Sequence, residues 1–386
     1  MIANGWVKPG FEGVRDAFAA NLAEGRDIGA AFSAYHRGEK VVDLWGGIAD
    51  PATERPWAED TLTLVFSTTK GATAICAHRL AQDGRLDLDA PVTTYWPEFG
   101  AAGKENIPVS YLLSHQAGLA WTDGENTEED ALNWDVVVAL LEAQAPHWEP
   151  GTAHGYHATT YGWLVGEVVR RITGQSLGTF FHDDVATPLG LDFWIGLPAS
   201  EEPRVSTLVS WRDTTALDEA TVGAINQFMG PESMIGKALF SPGGALKRED
   251  LWNSRELHAA EVPAANGIGD ARSIARMYAA CIGDVDGMRL LTPEQLKLAT
   301  TQQTSGPNTV LMGLDVQFGL GFMLPSSLIT IGGPQSFGHF GYGGSMGWAD
   351  PDAELALGYA MNKLDLVMAG DVRSSSLLDA TYAALG

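Results

Sequence analysis

Strand-forming and helix-forming segments are unevenly distributed along this chain. Residues 28–50, "IGAAFSAYHRGEKVVDLWGGIAD", hold two β-rich runs around Arg37-Gly38-Glu39, the pattern of a hairpin. A third apolar run, Thr61 to Val65, ends at Phe66, and a helix is expected from there to about Gln82. Strand patterns return only at 318–324, 337–344 and 354–362. Between about 87 and 265 the pattern is helical (134–144, 160–173, 176–186), broken by long stretches rich in Gly, Pro and Asp. Terminal helices are expected over 9–24, with Phe11, Val14, Phe18 and Leu22 on one face, and over 371–385. Strands at both ends and helices between them imply one sheet built from both termini and a separate helical lobe. The expected class is α/β (α+β): an antiparallel sheet flanked by helices, with a largely helical second lobe. The expected unit is a single domain, 1–386, its sheet lobe at about 1–86 plus 266–386 and its helical lobe at about 87–265. A site would lie in the cleft between the lobes.

Composition removes several function classes. Hydrophobic residues are 45% of the 386, enough for a sizeable core. The net charge of −24 repels phosphate backbones and anionic lipid, so neither nucleic acid nor a membrane surface is an expected partner. Cys76 and Cys281 make no disulfide framework and no C-x-x-C metal pattern, and Cys76 reads as a small buried residue. The N-terminal stretch lacks a basic region followed by an apolar one, and no apolar run reaches the ~18 residues of a membrane span. The expectation is a soluble, cytoplasmic protein.

At the junction of the third run with its helix stands Ser67-Thr68-Thr69-Lys70. With 20 serines and 8 lysines, chance alone supplies about 0.4 matches to S-x-x-K. The position is more informative than the spacing. Residues i and i+3 share a helix face, and the helix N-terminus favours developing negative charge. Lysine in a dry cleft loses proton affinity and becomes a general base, while the backbone N–H of Ser67 could stabilise an oxyanion. Equally, Ser67 could cap the helix with Lys70 in water. These residues alone leave both open.

Further segments change the balance. "LLSHQAGL" (112–119), "WEPGTAHGYHATTYGWLVGEVV" (148–169), "VPAANGIGDARSIARMYAA" (262–280) and "GHFGYGG" (338–344) occur in the order found in serine β-lactamase-like proteins. With Ser67-x-x-Lys70 they cover most of the chain. The sequence resembles the β-lactamase/penicillin-binding superfamily, and within it the family VIII carboxylesterases. That resemblance implies a β-lactamase-like fold. It implies Ser67 as nucleophile, Lys70 as the motif lysine and Tyr156 as the tyrosine of Y-x-N. It also implies His339-Phe340-Gly341 in the place of K-T-G, and the backbone N–H of Tyr342 as second oxyanion donor. Two positions depart from the pattern. Ala158 replaces an asparagine that holds the substrate amide, and His339 replaces a lysine that helps hold the substrate carboxylate. Both departures remove amide and carboxylate recognition and leave acyl transfer intact, which points to a simple ester.

Other motifs compete. "GGSMG" (343–347) matches G-x-S-x-G, but that elbow must join a strand to a helix, and "WADPDAELALGYAM" reads as a turn and then a strand, so Ser345 is not the expected nucleophile. His154 and His157 have an H-x-x-H spacing, with His147 the other nearby histidine, but without a third ligand pattern they read as loop residues beside Tyr156. His115 could pose as a triad base; the resemblance makes it structural. Trp348, Trp121 and Phe240 could line an acyl pocket or simply pack.

The expectation is therefore hydrolysis of a short-chain carboxylic ester, a small-molecule substrate, through an acyl-serine intermediate. Ser67 attacks, Lys70 and Tyr156 move the proton, and the N–H groups of Ser67 and Tyr342 hold the oxyanion. His339 orients the substrate or Tyr156. No metal or organic cofactor is implied. The competing readings are a β-lactamase, D-peptidase or oligoamide hydrolase with the same machinery, and a non-catalytic acyl-ligand sensor.

Overall fold

The computed structural model describes residues 3–210, 223, 225, 227–366 and 371–386. Its strands are β1 (Ala3–Val7), β2 (Gly29–His36), β3 (Glu39–Asp50), β4 (Arg55–Pro56), β5 (Thr63–Leu64), β6 (Phe193–Trp194), β7 (Ile268–Gly269), β8 (Gln317–Phe318), β9 (Met323–Leu324), β10 (Phe337–Phe340), β11 (Met346–Asp350) and β12 (Leu355–Met361). Six described helices have ten residues or more: α1 (Glu12–Ala23), α2 (Thr69–Gln82), α3 (Trp134–Ala143), α4 (Thr160–Thr173), α5 (Ala271–Ile282) and α6 (Val372–Ala383).

The main sheet runs β1-β3-β2-β12-β11-β10-β9-β8, with β4 on β3, and every pairing is antiparallel. The N-terminal hairpin meets the C-terminal strands where β2 pairs β12, Phe32 opposite Tyr359. Both strands are buried almost throughout because helices cover both faces, which is why their sequences read as apolar runs without polar alternation. Gly358 lets α5 approach one face, since a Cβ there would stand 2.1 Å from the Ala271 carbonyl oxygen. Its neighbour Tyr359 points to the other face, where its hydroxyl bonds Asp27 beyond the end of α1. α1 is tied to α6 by Asn21, which donates to the Arg373 carbonyl.

Several expectations need correction. The run ending at Phe66 does not join the main sheet; β5 belongs to a separate small sheet, β5-β7-β6. Residues 318–324 are not one strand but a tight hairpin of β8 and β9, because Gly319 and Gly321 turn the chain and Gly319 N–H bonds the Phe322 carbonyl. The 337–344 strand stops at Phe340 and the glycines beyond it form a turn. Trp348-Ala349-Asp350, read as a turn, lie in β11, which is paired on both sides. Helical segments at 134–143, 160–173 and 177–189 match the expected 134–144, 160–173 and 176–186 closely, and there α4 packs against α2.

Candidate active site

The nucleophile turn starts where β5 ends. Val65 N–H bonds the Gly267 carbonyl, and Phe66 then takes a left-handed conformation, φ 45°. That geometry costs a non-glycine residue about 1–3 kcal/mol, and such strain collects at functional sites. Phe66–Thr68 form one turn of 3-10 helix that runs directly into α2. Ser67 is thus presented just ahead of the positive end of a 14-residue helix. It is partly exposed while Phe66, Thr68 and Lys70 around it are buried.

Lys70 is fully buried. Its Nζ lies 2.9 Å from Ser67 Oγ, 2.6 Å from the Ala158 carbonyl and 2.9 Å from the Ala264 carbonyl. The partners are neutral, so nothing repays the cost of burying an ammonium, and burial holds the Lys70 pKa well below the ordinary lysine value. With two N–H groups bonded to the carbonyls, the lone pair of a neutral amine faces Ser67 Oγ–H. Tyr156 stands beside both: Lys70 Nζ is 4.8 Å from its ring centre, and its phenol is near enough to Ser67 for the serine to moderate the rise of its pKa. Burial pushes the Tyr156 phenol up, so it stays protonated. The three residues expected as nucleophile, lysine and tyrosine are therefore in mutual contact, with the lysine suited to accept a proton and the tyrosine to give one.

The strand end closes the site from the other side. Gly341 lies so close to the nucleophile turn that a Cβ would sit 2.2 Å from the Val65 carbonyl oxygen and 2.0 Å from Ser345 Oγ. Ser345 Oγ donates to the Val65 carbonyl at 2.7 Å and lies 3.0 Å from Thr68 Oγ1. Ser345 is buried, enters a strand and braces the turn, which is not the geometry of an elbow nucleophile. Tyr342, next to Gly341, packs its ring edge-on to Phe66 at 5.3 Å.

Of the two partners expected for His339, substrate and Tyr156, the structure brings it to the tyrosine. His339 is buried behind Phe340, lines neither cavity at Ser67, and stacks on Tyr156 with ring centres 6.0 Å apart. Its position suits orienting the tyrosine and does not suit contact with substrate. Burial and nearby Lys70 lower its pKa to about 3. His157 accepts from Leu119 N–H through Nε2 and donates through Nδ1 to the Gly155 carbonyl. Burial lowers it to about 3. His115 Nδ1 accepts from His157 N–H, and burial likewise keeps His115 neutral. With both its nitrogens engaged, His157 has no lone pair left for a metal. Trp348 is core, and Trp121 stacks on His147 at 4.0 Å.

Two cavities meet at Ser67. One of about 580 Å³ is walled by Phe66, Phe240, Trp252 and Leu364 and rimmed by Asp50, Lys247, Glu249 and Asp250. The other, about 80 Å³, is lined by apolar residues apart from Ser67, Tyr156 and Tyr342. Ser67, Ala158, Met229, Leu239 and Tyr342 line both. The sequence reading missed the two lysine-holding carbonyls, which have no side-chain signature. It also missed Asn308, whose Oδ1 accepts from Tyr156 N–H at 3.2 Å and from Leu311 N–H at 2.9 Å.

An antiparallel sheet flanked by helices, one of which starts with a serine and a buried lysine one turn apart, defines the serine β-lactamase-like class of hydrolases. The chain belongs to the beta-lactamase family, whose profile matches residues 14–381. It is 37% identical over 365 residues to the esterase/beta-lactamase LipL of Mycobacterium tuberculosis, covering 93% of this chain and 83% of that one. Its structure is similar to the crystal structure of a family VIII carboxylesterase, 40% identical, TM-score 0.89, over 100% of both chains. It is also similar to EstA of Arthrobacter nitroguajacolicus, 36% identical, TM-score 0.85, over 99% of both. Among the described residues no helix is long and apolar enough to cross a membrane.

Proposed function

We propose that this protein hydrolyses short-chain carboxylic esters through an acyl intermediate on Ser67. The observation that carries the reading is Lys70: a buried amine with two carbonyls as fixed acceptors and its third direction aimed at Ser67 Oγ. On this reading the ester enters between a sheet lobe of about residues 1–86 and 266–386 and a helical lobe of about 87–265. Ser67 Oγ attacks the carbonyl carbon as its proton passes to Lys70 Nζ. The N–H groups of Ser67 and Tyr342 take the oxyanion. When the intermediate collapses, Tyr156 gives its proton to the departing alcohol oxygen and regains one from the Lys70 ammonium. Water then repeats the sequence on the acyl carbonyl and frees the acid. The small chamber has room for roughly three methylene-sized groups, which suits a short acyl chain.

The named relatives include an esterase/beta-lactamase, and the same machinery would open a β-lactam. Ala158 and His339 favour the ester, because Ala158 has no polar side chain to hold an amide and His339, buried and neutral, offers no charge to a carboxylate. The test is mass spectrometry of the protein quenched during turnover of p-nitrophenyl acetate. An acetyl adduct on the peptide carrying Ser67, lost in Ser67→Ala, is expected. Turnover that persists in Ser67→Ala, or an adduct elsewhere, overturns the reading.

A further inference from the structure

The two chambers at Ser67 differ in a way that assigns the two halves of an ester. The argument rests on the ester-hydrolase reading above. The alcohol leaves first, and water must take its place, so the alcohol half needs the chamber that opens to solvent past charged side chains, the one rimmed by Asp50, Lys247 and Glu249. The acyl half becomes bonded to Ser67 in the first step and stays there until water, entering from the alcohol side, frees the acid, so its chamber needs no exchange between the two steps. The apolar chamber walled by Ile235, Leu311, Val316 and Ile329 suits it.

The outer end of that small chamber is Leu328, the one lining residue there that is well exposed, at 37%. It is not a loose side chain on a loose loop. Ser326 N–H bonds the Ile329 carbonyl at 2.9 Å and closes the turn. Ser326 Oγ donates to the Asp315 carbonyl at 2.6 Å, and Ser327 Oγ and N–H both donate to Asp315 Oδ2, at 2.6 and 3.0 Å. These bonds hold the Asp315 carboxyl below the usual carboxylate range. Val316, next to Asp315, forms another wall of the same chamber. The turn and that wall therefore share one anchor, and Leu328 is held across the end of the space.

We infer that Leu328 is a specificity-determining residue: it ends the acyl chamber and sets the acyl-chain length that the enzyme accepts. Chains that fit gain about fourfold in transition-state binding per buried methylene. Longer chains must displace Leu328 or fold back. Truncating Leu328 turns the closed end into an exit onto the surface, and enlarging it shortens the space.

The experiment compares kcat/KM for p-nitrophenyl acetate, butyrate and octanoate in the wild type, Leu328→Ala and Leu328→Trp. A parallel series holds the acyl group as acetate and varies the alcohol. Because Leu328 is exposed, both variants should fold. Leu328→Ala is expected to raise the octanoate-to-acetate ratio at least about tenfold, and Leu328→Trp to lower the butyrate-to-acetate ratio by a similar factor. The alcohol series should keep its wild-type order in both. Unchanged acyl ratios in both variants overturn the inference while leaving the ester-hydrolase reading intact, as does a shift confined to the alcohol series. A wild type that turns over no ester with dependence on Ser67 overturns both.

Discussion

The mechanism stands on a lysine that is neutral in the resting enzyme, and a pH–rate profile tests this directly. An ordinary lysine, with a pKa of about 10.4, is neutral in roughly one molecule in 2,500 at pH 7, and each unit by which the pKa falls raises that fraction about tenfold. Lys70 is driven in this direction by burial alone, since its three hydrogen-bond partners carry no charge. The sign follows. The active base is the deprotonated amine, so kcat/KM should rise with pH through a single ionisation below the ordinary lysine value, then stay level until the protein unfolds. Tyr156 supplies no rising limb in this range, because burial pushes its phenol up. The nearby imidazoles supply none either, since His157 and His339 are lowered to about 3 and His115 is also held well down. Lys70→Arg keeps a cation that cannot lose its proton at accessible pH, and should cost at least about 10³-fold at every pH. The assay is release of p-nitrophenol from the acetate ester, corrected for chemical hydrolysis, with circular dichroism to confirm folding. A limb near 6.5 with activity kept in Lys70→Arg means a histidine base and ends the mechanism. A limb at the ordinary lysine value means a solvated Lys70 and refutes the burial argument.

Tyr156→Phe should lower kcat/KM about 10²–10⁴-fold for alkyl esters and much less for p-nitrophenyl esters, whose leaving group needs no proton; equal losses in both series would remove the proton-donor role. Ser345→Ala should keep most of the activity and lose about 1–3 kcal/mol of stability in urea denaturation, because Val65 O and Thr68 Oγ1 each lose a buried partner; a folded, inactive Ser345→Ala would reopen the elbow assignment. A chromogenic cephalosporin should be turned over far more slowly than a short p-nitrophenyl ester, and comparable kcat/KM values for the two would move the assignment to a β-lactamase. Leu328→Ala and Leu328→Trp add the acyl-length comparison described above.

The sequence made some elements legible for a physical reason and hid others for one. α1, α3, α4 and the β2–β3 hairpin carry a period or a turn signal of their own. β1 and β11 do not. "ANGWV" and "MGWAD" are five residues each, with a glycine and an Asn or Asp in both, and propensity alone gives them weak strand character. They are strands because a neighbour offers its backbone: β3 beside β1, β10 and β12 beside β11. The same division holds in the site. Ser67 and Lys70 were legible as side chains one helical turn apart, and Tyr156 only through the family resemblance. The groups that hold the lysine's amine in place are the carbonyls of Ala158 and Ala264, and any residue type would have supplied them. The chambers were hidden because their walls come from separated stretches of chain, among them Phe66, Ile235, Trp252, Leu311 and Leu328, that only the fold brings together.

That division bears on how Lys70 can serve as a base. A carboxylate within bonding distance of its Nζ would restore the ammonium and leave a structural ion pair, the commoner fate of a buried lysine. Backbone carbonyls satisfy two N–H groups without adding charge. They hold the amine in place whether or not it carries the proton, so proton transfer from Ser67 needs no movement of heavy atoms. The carbonyls are themselves fixed by elements flanking them: Ala158 leads into α4, and Ala264 lies just before Gly267, whose carbonyl takes the Val65 N–H at the start of the nucleophile turn. Val65 in turn accepts from Ser345 at the end of the β10–β11 turn that carries Tyr342. Nucleophile, base and the second proposed oxyanion donor are thus referenced to one another through Val65 and Gly267, two positions that touch no substrate. A substitution that shifts either one should lower kcat through the alignment of all three groups, with little change in the binding of an acyl chain held by the small chamber.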